Sequence, residues 1–212
     1  MAGQATRKQA GLDGAVEGTG SMATDEELLA DFARGDELAF EELLRRYERE
    51  LFAFLRRFLS DPTLAEDVFQ EAFLQVYRSV RSFDSTRRFR PWLFTIAANK
   101  ARDYLRVDGR RTIYSLDAIA GLDEPEANIT ELATHEAPVA QRMMDQEQGA
   151  AVQAVLARLP AKDRELLLLS YFHRFAYGQI AEMLHLPLGT VKSRLHVALA
   201  RFRRLWNGRP CG

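Results

Sequence analysis

The chain has 212 residues, a formal net charge of −1 and one cysteine, Cys211. A single thiol excludes an internal disulfide and any cysteine-cluster metal site. No apolar run approaches the roughly 18 residues of a membrane-spanning helix, and the start carries no secretory-type apolar stretch, so we expect a cytoplasmic protein. The charge is segregated rather than absent. Arg87, Arg88, Arg90, Lys100, Arg102, Arg106, Arg110 and Arg111 stand against only Asp103 and Asp108. From Thr112 to Gly149, acids face a single cation, Arg142, and after Leu188 every ionised side chain is basic. Two basic blocks around an acidic one can hide inside a near-neutral total.

Residues 1–23 are Gly-rich, polar and aperiodic, and are expected to be a disordered tail. Order begins at Thr24, where Thr24 and Glu27 have the spacing of a capping box and Gly35 fits the end of a short helix. Asp36 can cap a longer helix through Leu59, with Phe40, Leu43, Leu44, Tyr47, Leu51, Phe54, Leu55 and Phe58 at helical spacing. A third helix restarts at Asp61 and Pro62 and carries Val68, Phe69, Phe73, Val76 and Tyr77 to about Val80. "RSFDSTRRF" (81–89) reads as a loop. A fourth helix follows over about Arg90–Val107, with Pro91 in the first turn, where no proline amide is needed.

Residues 112–138 contain Gly121, Pro125 and Pro138, many acids and weak periodicity, and read as a flexible linker. A second helical block begins near Val139. Pro160 interrupts it, "AKDRELLLLSYFHR" restarts it, and "YGQIAEML", a turn over His185–Leu188 and a basic helix complete it. No strand pattern persists. The expected fold is all-α: one helical domain over 24–111, a linker over 112–138 and a second domain over 139–212.

The last helix is legible in most detail. At 100° per residue, Val191, Leu195, Ala198, Leu199, Phe202 and Leu205 form one stripe. Lys192, Ser193, His196, Ala200, Arg203 and Arg204 lie opposite, with Arg194 and Arg201 on a flank. Preceded by Ile180, Ala181 and Leu184 and a short turn, this is a helix-turn-helix pattern, whose second helix reads the major groove with its N-terminal part. Thr190, Lys192, Ser193, Arg194 and His196 are the candidate base contacts, and Arg201 a more distal DNA contact. The other basic block, "FDSTRRFRPWLFTIAANKARDYLRVDGRR" (83–111), interleaves aromatics with cations. Phe89, Trp92, Phe94 and Tyr104 cannot all be surface residues. Aromatics beside cations nevertheless suit unstacked bases on a single strand.

"AEDVFQEAFLQVYRSVRSFD…FRPWLFTIAANKARDYLR", followed by a linker and "LARLPAKDRELLLLSYFHRFAYGQIAEMLHLPLGTVKSRLHVALARFRRL", resembles a bacterial sigma-70-family sigma factor of the small extracytoplasmic-function (ECF) group. The resemblance implies that the chain confers promoter specificity on RNA polymerase and has no catalysis or cofactor of its own. It also implies that Asp67, Gln70, Glu71 and Leu74, on one helix face, dock on the clamp of core polymerase. Phe83, Arg88, Phe89, Trp92, Asn99, Lys100, Arg102, Asp103 and Arg106 would then open the −10 element and hold an unpaired base. The last helix would bind the −35 element as duplex, and the second domain would touch the polymerase flap. An anti-sigma protein is the implied regulator. Asn99 stands out, because its amide offers a donor and an acceptor to a base edge.

The sequence departs from the family pattern in the helix-turn-helix. Ala176 stands where Ser or Thr is usual, Gln179 replaces Glu, and His185 replaces the turn glycine. Gln179 can still bond backward, and His tolerates the left-handed conformation that the turn requires. His173, His185 and His196 have no carboxylate or thiol at ligand spacing, so no metal is expected. The alternative reading is a helix-turn-helix regulator without melting activity, but 24–107 shows neither strands nor a ligand pocket. An enzyme such as a nuclease would need clustered acids or an activated nucleophile, and neither is present in the pattern.

Overall fold

The structure, a computed structural model, describes residues 23–84, 86–112 and 146–208. The expected linker, the start of the second block at Val139 and nearly all of the expected N-terminal tail lie outside the described residues. All the described secondary structure is helical, and it forms two helical domains.

The first domain contains α1 (Asp25–Ala33), α2 (Glu37–Leu59), α3 (Pro62–Ser79) and α4 (Phe89–Thr112). The starts of α1, α2 and α3 are built by the residues expected there. Thr24 Oγ1 accepts from the Glu27 amide at 3.2 Å while Glu27 Oε2 accepts from the Thr24 amide at 2.8 Å. The Asp36 carboxylate accepts from the Leu38 amide, and the Asp61 carboxylate from those of Thr63 and Leu64. Such caps satisfy amides that a first helical turn leaves without partners. Between α2 and α3 the chain reverses through Ser60, at φ 60°, with Pro62 opening the next helix.

The α2 helix is the axis of this domain. Leu43, Leu51, Phe54, Leu55 and Phe58 have no exposed surface. The α4 helix packs on α3, and Ala97, Ala98 and Ala101 of α4 and Ala65 and Ala72 of α3 are all buried small residues that let helices approach closely. The expected helix start at Arg90 moves one residue earlier, and the helix runs on past Val107 to Thr112.

The second domain contains α5 (Gln146–Ala157), α6 (Ala161–Leu167), α7 (Tyr177–Leu184) and α8 (Leu188–Asn207). Leu166–Leu169 are buried on every side, which explains an apolar run without amphipathic spacing. The α6 helix widens into a π-helical turn over Leu168–Phe172 and ends with Arg174 in the left-handed region. Val191, Leu195, Ala198 and Phe202 of α8 are buried, as the stripe predicted.

The two domains pack on each other. Phe175 of the second sets its ring 5.1 Å from Phe94 of the first, and the His173 ring lies edge-on to Phe54 at 5.4 Å.

Candidate nucleic-acid interface

Three surfaces carry the residues singled out by the sequence. The first is the outer face of α3. Asp67, Gln70 and Leu74 are exposed there, Leu74 by 52% of its surface. Glu71 is different. It accepts from the Tyr104 hydroxyl at 2.6 Å and from Lys100 Nζ at 3.2 Å. The Tyr104 bond above all holds its carboxyl below the usual range against the opposing effect of burial, and Lys100 adds to it. Glu71, expected to dock on a partner, thus also ties α3 to α4, with 43% of its side chain still exposed. Tyr77 was grouped with the apolar residues of its helix, yet it is 49% exposed. One side of its ring packs on Phe32 and Phe40. Leu38 is 72% exposed. No periodicity marks an aromatic that is half covered.

The second surface is α4 with the loop before it. Asp84 makes a turn by accepting from the amide and hydroxyl of Thr86 at 3.0 and 2.7 Å, which lowers its pKa. Thr86, Arg87 and Arg88 are left exposed. Phe83 and Trp92 are both half-buried and lie 4.7 Å apart between ring centroids. Phe89 corrects an expectation. It has no exposed surface, packs edge-on to Tyr47 at 5.4 Å, and its amide donates to Glu26 Oε1 at 2.9 Å. A ring enclosed on all sides cannot stack on a base, so Phe89 anchors the start of α4. Phe94 is likewise core. Further along, Asn99, Asp103 and Arg106 are exposed. Asn99 Oδ1 accepts from Arg102, and Arg106 pairs with Asp103 at 2.6 Å. Lys100 is taken by Glu71, so its cation is partly neutralised within the domain.

The third surface is the α7–α8 pair. Ala176 supplies no capping side chain, and Gln179 Oε1 accepts from the Ala176 amide at 3.0 Å, as expected. His185 adopts φ 53° and ψ 45°, the left-handed turn its position requires, and the Leu186 amide closes on the Ala181 carbonyl at 2.9 Å. Pro187 precedes α8 and offers no side-chain cap. The first turn of α8 therefore presents amides without side-chain partners, the arrangement that favours an anion. Beside it Lys192, Arg194 and His196 are exposed, and Thr190 is half-buried. The Ser193 hydroxyl is exposed but donates back to the Thr190 carbonyl at 3.1 Å. Arg201, expected as a more distal DNA contact, also has a partner within the protein: its Nη1 lies 2.6 Å from Asp163 Oδ2 of α6, and 45% of its side chain stays exposed. Among the described residues no cluster of His, Cys, Asp and Glu could hold a metal, and no helix is long and apolar enough to cross a membrane.

Two helical domains, the second ending in a helix-turn-helix with an acid-free outer face, have the build of a DNA-binding protein. Residues 43–111 match the family model for sigma-70 region 2, and residues 149–202 the model for sigma-70 region 4. The ECF RNA polymerase sigma factor SigW of Bacillus subtilis is 31% identical over 163 residues, covering 77% of this chain and 86% of that protein. The RNA polymerase sigma-H factor of Pseudomonas aeruginosa is 34% identical over 171 residues, covering 81% and 88%. Among solved structures, CnrH in complex with the cytosolic domain of CnrY superposes with a TM-score of 0.63 at 26% identity, over 88% of this chain and 99% of that one. The chain belongs to the ECF RNA polymerase sigma factors, and its two domains are sigma regions 2 and 4.

Proposed function

We propose that 24–111 docks on the polymerase clamp and melts the −10 element, that 112–138 is a tether, and that 139–212 reads the −35 element. On this reading the chain acts in the cytoplasm with core polymerase. Asp67, Gln70 and Leu74 make the docking contact, while Glu71 fixes the angle between α3 and α4. Phe83 and Trp92 supply ring faces for an unpaired base, Asn99 reads its edge, and Arg88, Arg102 and Arg106 meet the backbone. Unstacking a base costs a few kcal/mol, which a preformed aromatic pair beside cations can offset. On α8, Lys192, Arg194 and His196 face the duplex. An anti-sigma protein fits as regulator, because CnrH was solved with the cytosolic domain of CnrY.

The observation that carries this reading is the exposed start of α8: uncapped amides, three basic side chains and no carboxylate. In vitro transcription with core polymerase on a genomic promoter library, with start sites sequenced, tests it. Starts sharing two upstream elements are expected. Arg194→Ala should relax preference at one position of the distal element and cost roughly 1–3 kcal/mol of binding. Asn99→Ala should slow open-complex formation on duplex promoters, with rescue on a pre-melted bubble. Identical start profiles and melting rates for both variants would remove these two roles.

A further inference from the structure

The α4 face assigned to the −10 element carries two pairs built alike. Arg102 Nη2 donates to Asn99 Oδ1, and Arg106 Nη2 donates to Asp103 Oδ1 at 2.6 Å, each arginine reaching back three residues along the helix. Both members of the second pair are well exposed, so water competes for that contact. Arg102 is held better. It is half-buried, and its Nε lies 3.4 Å from the Ala98 carbonyl and 3.5 Å from Glu165 Oε1. The Ala98 and Asn99 contacts lie within α4, so they do not depend on where the second domain sits.

The pairing with Arg102 decides which way the Asn99 amide faces. A guanidinium has N–H donors and no acceptor, so only the amide oxygen can meet it. With the oxygen turned to Arg102, Nδ2 becomes the outward group. Asn99 is exposed, and this nitrogen has no partner among the described residues. An unconstrained asparagine offers a donor and an acceptor together, which suits adenine, whose N7 accepts while its N6 amine donates. Asn99 held by Arg102 offers N–H groups instead. These fit thymine through O4 and guanine through O6 and N7. Adenine and cytosine would set their N6 and N4 amines where the acceptor is already taken, and a desolvated donor left without a partner is costly. We propose that Arg102 is a positioning residue that makes Asn99 a donor-only reader, so that one position of the −10 element takes a keto base, thymine or guanine, in preference to an amino base. This rests on the −10 assignment of Asn99 above and adds the class of base and the residue that selects it. Arg102 Nη1 takes no part in these contacts and stays available to a phosphate, so positioning and backbone contact coexist in one side chain.

The test uses holoenzyme made from core polymerase and the full chain, on pre-melted bubble templates built from one promoter recovered by the transcription assay above. Each non-template position of the −10 element carries A, C, G or T in turn, and the four templates compete at equilibrium. A ratio between templates does not depend on how much of a variant is folded. Wild type should favour T and G over A and C by about fivefold or more at one position, the lower end of what a base-edge contact discriminates. Arg102→Ala should bring that ratio close to one. Arg102→Lys, which still offers a donor, should keep it, and Asn99→Asp, with acceptors alone, should reverse it toward A and C. If Arg102→Ala weakens all four templates alike and leaves the ratio where it was, Arg102 serves only the backbone or the fold, and the proposal is overturned. A position that depends on Asn99 but prefers A or C also overturns it, with the −10 assignment intact. If Asn99→Ala keeps the wild-type ratio at every position, Asn99 reads no base, and the −10 assignment falls together with the proposal.

Discussion

Glu165 shows how strongly one buried carboxyl can bias this molecule. Burial pushes its pKa from an ordinary 4.5 to about 7, with Arg102 pulling only weakly the other way. It retains only 3% of its exposed surface, and its Oε1 has no hydrogen-bond donor. The folded chain thus holds a proton that the unfolded chain releases. The resulting loss of stability begins above pH 4.5, grows as pH rises to about 7 and then levels off at roughly 3 kcal/mol. Glu165→Gln should accordingly melt higher than wild type at pH 8, with the advantage shrinking toward pH 5. Thermal melts at the two pH values check this, and a pH-independent difference would mean that the charge is accommodated. On the α3 face, two acids four residues apart should behave differently. Glu71→Lys should lower the melting temperature, because it faces Lys100 and breaks the bond to Tyr104. Asp67→Lys should leave melting unchanged and weaken capture by core polymerase. If both variants lose only polymerase binding, Glu71 is a contact residue after all.

At the scale of the element, the helix-turn-helix is assembled from second-choice residues. Ala176 already holds the extended backbone of an N-cap, at φ −62° and ψ 146°, but has no oxygen to offer. Gln179 satisfies only one side of the usual reciprocal pair. Ala176→Ser should add about 1 kcal/mol to the second domain. For a chain of this size that is a rise in melting temperature of about 2–4 °C. No rise would show that the first amides of α7 already have partners. In α8 the split between faces has a direct electrostatic reading. A carboxylate on the outer face would repel a phosphate backbone, and none is present. Asp163, an acid that does approach this helix, comes from α6 and pairs with Arg201, two turns beyond the leading residues.

At the scale of the whole molecule, two small cores share a seam, so neither domain's exposed surface is independent of the other. Phe54 and Phe94 belong to the first core yet touch His173 of the second. Substitutions there should couple domain stability to domain separation, which dye-pair distances separate from simple unfolding.

The sequence by itself determined the helical class and most helix starts, but neither the π-helical turn over Leu168–Phe172 nor the short turn at Val80–Ser82. Thr24, Asp36 and Asp61 announced helix starts because their side chains bond nearby amides, and the turn position of His185 announced a left-handed backbone that His tolerates. The α8 stripe and the paired motifs were legible because periodicity and spacing lie within a few residues. Tertiary structure alone decided which cations and aromatics remain available. Phe89 and Trp92 are three residues apart on one helix, yet one is enclosed by Tyr47 and the other is half open. Glu71 turns inward because Tyr104 and Lys100 sit opposite it. Arg164 reaches the Phe58 carbonyl across 106 positions of chain, and no local pattern encodes a pairing of that range. Periodicity fixes the direction of a side chain on its own helix. What that side chain meets is fixed by how the helices pack, and here that packing conceals part of the surface the residue types would assign to DNA.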